Sequence, residues 1–125
     1  LFFQETHFLA GDARDQVRTI MRTWRKHRLK MASGYVFAIG DEPCDAAWTG
    51  FQCHIPESGE GYVLVFRELH AGEQQADLPL HFADGALRWQ DVLSGENWDA
   101  DEGGSLRCEI EERPGFRWLH YEARK

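Results

Sequence analysis

The fold turns on Gly61-Tyr62-Val63-Leu64-Val65-Phe66-Arg67-Glu68. In an extended segment, successive side chains point to opposite faces. Tyr62, Leu64 and Phe66 therefore share one face and Val63 and Val65 the other. Both faces are apolar, whereas a strand with one side in water carries polar residues there. The stretch reads as a central strand with something packed on each side. It stops abruptly in a charged pair.

Working outward, period-two patterns recur at residues 35–39, 48–54, 62–69, 78–82, 86–93, 105–112 and 116–122. Turn chemistry separates them: Gly40-Asp41-Glu42-Pro43, Ser58-Gly59-Glu60-Gly61, Ala83-Asp84-Gly85, Gly103-Gly104 and Arg113-Pro114-Gly115. Asp84-Gly85 and Pro114-Gly115 predict two adjacent hairpins. Short strands at this spacing imply a mainly β fold, an antiparallel β-sandwich of about seven to eight strands. The strand at 105–112 is cleanly half-buried, with Leu106, Cys108 and Ile110 opposing Arg107, Glu109 and Glu111. The strands at 35–39 and 62–69 are apolar on both faces. A sandwich covers one face of each sheet, so the second needs a helix, another chain or another domain.

That helix is legible upstream. Asp12 is an N-cap candidate and Asp15 suits the positive end of a helix. No Gly or Pro intervenes before Ser33-Gly34, which ends it. Val17, Ile20, Met21 and Trp24 fall at helical spacing and make one amphipathic face, with Trp24 expected in the core. The chain divides into residues 1–33, an N-terminal segment and helix, and 34–125, the sandwich. It begins at Leu1 rather than Met, which reads as a fragment or processed piece.

Composition bounds the function. A 125-residue chain with 42% hydrophobic residues can bury a core without staples. The net charge of −7 argues against a nucleic-acid partner. Residues 12–31 carry seven basic side chains against two acidic ones, +5 locally, leaving −12 on the rest. A basic helix beside an acidic body is most simply self-complementary. No apolar run is long enough to span a membrane. Cys44, Cys53 and Cys108 make no disulfide framework, and Cys108 alternates as a small core residue. Cys53-His54 has no second ligand pair at metal spacing, so neither a metal nor a cofactor is implied. The six histidines have no Ser or Cys partner at a motif spacing.

The order of segments is familiar. A basic-aromatic helix, residues 17–28, leads into Gly34-Tyr35-Val36-Phe37-Ala38-Ile39-Gly40. Trp48-Thr49-Gly50-Phe51-Gln52, the 62–68 strand and Trp89-Gln90-Asp91-Val92-Leu93-Ser94-Gly95-Glu96 follow. Over residues 12–123 this resembles the C-terminal region of α-galactosidase or melibiase-like glycoside hydrolases of family 36. There the last helix of a (β/α)8 barrel runs into an antiparallel β-sandwich. The resemblance implies a non-catalytic accessory domain packing against a parent catalytic barrel. The catalytic carboxylates of such enzymes sit at barrel strand ends, and at most residues 2–6 are the tail of one such strand.

The residues agree that a catalytic pair is missing. Asp41-Glu42, Asp99, Asp101-Glu102 and Glu111-Glu112 fall in turns or on a solvent-facing strand side. Adjacent strand residues cannot share a substrate. The chain is therefore expected not to be an enzyme. Glu68 is read as one half of an Arg67–Glu68 pair that closes the end of a buried strand or contacts the neighbouring domain. The alternative function is an independent carbohydrate-binding module. Its candidate residues are Trp98, a large ring in the polar stretch 94–102, with Asn97 and Asp99 to take sugar hydroxyls. Trp89 and Trp118, inside strands, are expected in the core. The helix face offers a second contact, a two-fold homodimer.

Overall fold

The computed structural model describes residues 11–124, with side chains from Arg18 onward. The strand tail expected at residues 2–6 lies outside the described residues, and so do the side chains of Asp12, Asp15 and Val17, on which the expected cap and the start of the apolar face rest. Helix α1 (Gly11–Ala32) precedes eight strands: β1 (Tyr35–Gly40), β2 (Trp48–Ile55), β3 (Glu60–Arg67), β4 (Gln75–Pro79), β5 (Leu87–Asp91), β6 (Asn97–Ala100), β7 (Ser105–Glu109) and β8 (Gly115–Ala123). The fold is mainly β, as its alternation predicts. Six strands form one antiparallel sheet in the order β1-β2-β3-β8-β5-β6, and β4 pairs with β7 in a second.

The 61–68 stretch sits in the middle of the large sheet, between β2 and β8. Val63 and Val65 face the small sheet and are fully buried. With Ile39, Leu87, Trp89, Leu119 and Tyr121 they meet Leu78, Leu106 and Cys108 in the main core. Tyr62, Leu64 and Phe66 face the other way, toward α1. Both faces of β3 are therefore used, and two different layers use them.

Two expected hairpins are not formed. Asp84-Gly85 does not join a paired β4 and β5, because β4 lies in the small sheet and β5 in the large one. Pro114-Gly115 likewise links β7 to β8 across the two sheets. Turn residues specify that the chain bends, and they do not specify its pairing partner. The hairpins that form are β1–β2, β2–β3 and β5–β6. Strand β6 has no alternating pattern of its own, because Trp98 is the one large apolar residue in the polar stretch 94–102. It is a four-residue edge strand paired to β5 alone.

The Asp91-Val92-Leu93-Ser94-Gly95 motif is the β5–β6 turn. Asp91 Oδ1 accepts the Leu93 and Ser94 amides at 3.0 and 2.9 Å. Gly95 closes the turn at φ +81°, a conformation a side chain would strain.

At the end of β3 the expected Arg67–Glu68 pair is not made. Adjacent strand residues diverge. Arg67 is buried and donates to the carbonyls of Ala71, Gly72, Ile110 and Glu111. Glu68 turns to the β1–β2 loop, where Oε1 accepts the Cys44 and Ala47 amides at 3.0 and 2.9 Å. Those amide bonds, the Cys44 one first, hold the Glu68 carboxyl below the usual carboxylate range.

Candidate functional site

Three surfaces bring chemistry-bearing residues together. The first lies between α1 and the outer face of the large sheet. Ile20, Trp24, His27 and Met31 recur at helical spacing and face the sheet. The observed face thus continues past Trp24 to His27 and Met31. Trp24 itself is not core: it is 37% exposed at the rim. Met31 packs on Cys53, Ile55 and Tyr62. Gly34 follows at once, where an added Cβ would stand 2.6 Å from Cys53 Sγ, so only glycine allows this close approach.

His27 ties the helix down. Its Nδ1 lies 2.7 Å from the Tyr62 hydroxyl, and its ring meets Tyr62 and Trp118 edge-on. Glu60 is flanked by Lys30 at 3.7 Å and His120 at 3.3 Å. Desolvation lowers the His27 pKa, and Lys26, His120 and Lys30 add to it. Burial pushes the Tyr62 phenol up to about 12. Neither arrangement makes a base or nucleophile of unusual strength at neutral pH.

Between this joint and the remaining outer face lies an apolar cleft of about 510 Å³, walled by side chains such as Ile20, Trp24, Phe51, Leu64, Phe66 and Phe116. Phe51 is 53% exposed and Val36 66%, although both lie on strands of the large sheet.

The second surface holds the sequence candidates. Trp98 faces inward on β6, opposite Trp89, and the rings stack at 6.3 Å with 10° between planes. The Arg117 guanidinium lies 5.1 Å from the Trp98 ring centroid and is held by Asp91 at 3.2 Å. Asn97 and Asp99 alternate to the opposite face and are exposed. Asn97 donates to the Gly95 carbonyl and Asp99 pairs with Arg88 at 3.3 Å. The structure therefore separates Trp98 from Asn97 and Asp99 and does not gather the three on one surface. Trp89 is in the main core, and Trp118 is buried on the α1 side.

The third surface is a polar network under the inner face of β1 and β2. Gln52 Nε2 donates to the His81 carbonyl at 2.7 Å and to the Tyr121 hydroxyl at 2.8 Å. Gln52 Oε1 accepts the His81 amide at 2.7 Å. The Tyr121 hydroxyl also meets His54 Nδ1 at 2.7 Å. No signal in the sequence marks these residues as a unit, since Gln52 and His54 lie on β2, His81 after β4 and Tyr121 on β8.

Cys53 and Cys108 carry no activated thiol in this arrangement. Cys53 Sγ is 3.1 Å from the Met31 carbonyl, and burial raises its pKa. Burial pushes Cys108 up to about 11. Cys53 and His54 point to opposite faces, one toward α1 and the other toward Tyr121. Asp41, Glu42, Asp101, Glu102, Glu111 and Glu112 are all exposed. Among the described residues, no helix is long and apolar enough to cross a membrane. No family model matches the chain, and no curated protein or solved structure matches it.

Proposed function

We propose that this chain is a non-catalytic accessory domain of an α-galactosidase-like glycoside hydrolase, whose outer sheet face packs against a catalytic barrel. One observation carries the reading: a central sheet keeps a broad apolar face, with Phe51, Val36, Phe116 and Trp24 all exposed, beside a helix that covers it at one end. Contiguous apolar surface of this kind marks a contact with another protein surface. The order of helix, link and sheet supplies the identity of the partner through its resemblance to the melibiase-like enzymes. In isolation the same face serves for pairing of two copies, since one patch can meet itself about a two-fold axis.

The test is the coding sequence upstream of Leu1. A barrel with two strand-end aspartates supports the proposal, and an upstream region encoding no such domain removes it. Catalysis gives a second check. The purified chain should release no aryl alcohol from aryl α- or β-galactosides above a buffer control.

A further inference from the structure

A cavity of about 520 Å³ opens on the inner face at the Tyr35 end of β1, lined by Tyr35, Phe37, His54, Pro56 and Phe82. Its size falls in the range of small-molecule sites, about 300–1,000 Å³. Tyr35 is 66% and Phe82 71% exposed, so two aromatic rings stand in solvent beside a buried floor. Phe82 holds φ 60°, the left-handed region that bulky side chains disfavour. Strain of this kind concentrates at ligand clamps. Phe37 stacks on His81 at 4.6 Å, and Phe82 tilts toward Phe37 at 5.7 Å and His54 at 6.1 Å.

The floor presents one defined polar atom. Gln52 commits an amide hydrogen to the Tyr121 oxygen. Pairing the Tyr121 proton with His54 Nδ1 is the arrangement that leaves none of the three groups unbonded. In that arrangement His54 is the Nε2–H tautomer, and Nε2–H has no hydrogen-bond partner among the described residues. It is not sealed from solvent either, because no buried side-chain polar atom is left unsatisfied. Desolvation lowers the His54 pKa, which favours the neutral ring.

We propose that this cavity binds a neutral pyranose, the sugar's C–H face against Tyr35 and Phe82 and one of its oxygens accepting from His54 Nε2–H. The chemistry selects this class. None of the five lining residues is Asp, Glu, Lys or Arg, which disfavours ionic ligands. A purely apolar ligand would cover the Nε2–H and leave it unpaired. A pyranose supplies both a C–H face and acceptors. One buried donor, with the exposed Tyr35 hydroxyl at the rim, gives tolerant recognition, so affinity of about 1 mM is expected, with little choice among hexoses. The site lies on the face opposite the apolar cleft. Its occupancy is independent of what covers the outer face, and either proposal can fail alone.

The experiment is a titration of the ¹⁵N-labelled chain with melibiose, maltose and cellobiose, each followed by amide shifts and saturation transfer to the sugar. Shifts centred on Tyr35, Phe37, His54 and Phe82 are expected with at least one sugar. Tyr35→Ala and Phe82→Ala should each weaken binding by about tenfold or more, and Trp98→Ala should leave it unchanged. Tyr35 is an exposed edge-strand residue and Phe82 buries little, so both variants should keep the fold and answer the question. Imidazole ¹H–¹⁵N spectra should show His54 protonated at Nε2. No shifts with any of the three sugars, shifts centred on Trp98, or a His54 protonated at Nδ1 would each overturn the proposal.

Discussion

Arg67 ends β3 inside the molecule with five hydrogen bonds, all to backbone carbonyls. It joins the loop after β3 to the segment after β7 and pairs with no carboxylate among the described residues. Removing the guanidinium leaves buried carbonyls unpaired, which costs about 1–3 kcal/mol each where water cannot enter. Arg67→Met should therefore lower stability by roughly 3–5 kcal/mol, near the cost of breaking a buried ion pair. Arg67→Lys should fall between the two, because an ammonium lacks the planar fork. Urea unfolding measures both, and an Arg67→Met variant within about 1 kcal/mol of the native chain would show the clamp to be dispensable. Phe82 gives the opposite sign. Its left-handed backbone strains a side chain that buries little, so Phe82→Gly should stabilise the fold by roughly 1 kcal/mol. A loss of stability instead would show that the ring's contacts with Phe37 and His54 outweigh the strain.

At the scale of elements, β3 tests how two apolar faces differ. Leu119 of β8 lies beside it on the inner face and is fully buried, whereas Leu64 on the outer face is half-buried beside the cleft. Leu119→Ala should cost roughly 2–5 kcal/mol and Leu64→Ala less than about 2. Equal losses in urea unfolding would mean the outer face is as closed as the core. Two histidines, His27 at the joint of α1 with the sheet and His54 on the inner face, add a pH dependence. His27 and His54 both have folded pKa values below the ordinary 6.5, chiefly through desolvation. The unfolded chain therefore binds protons first. This stability is complete above about pH 6.5 and is lost as pH falls through the lowered folded values. The urea midpoint should drop on going from neutral to mildly acid buffer, and the drop should shrink in the His27→Gln/His54→Gln variant. An identical drop in that variant would move the effect to other groups.

For the whole molecule, the exposed outer face predicts self-association of the isolated chain. Burying a side chain such as Phe or Ile contributes about 1.5–3 kcal/mol. A few of them meeting across a two-fold axis suffice for a dimer at micromolar concentration. Sedimentation of the native chain and of Ile20→Glu/Phe51→Glu decides it. The native chain should be dimeric and the variant monomeric. A monomeric native chain, or a dimer indifferent to both charges, would refute the contact.

The sequence by itself determined the kind of protein this is: an amphipathic helix, then antiparallel strands, with 61–68 at the centre. Those features follow from local periodicity and turn residues, which act over a few positions. Three matters were decided only in three dimensions. Leu78 and Leu106 pair in a separate small sheet, although turn chemistry suited hairpins with their sequence neighbours. Trp98 is drawn onto Trp89 while Asn97 and Asp99 turn away, because β6 adds to a sheet edge that no local pattern reveals. Tyr35, His54, Phe82 and Tyr121 come together from distant positions, and only strand order and register bring them within reach. Alternation tells which residues share a face of one strand, and the partner across the sheet is chosen by the burial of the whole core.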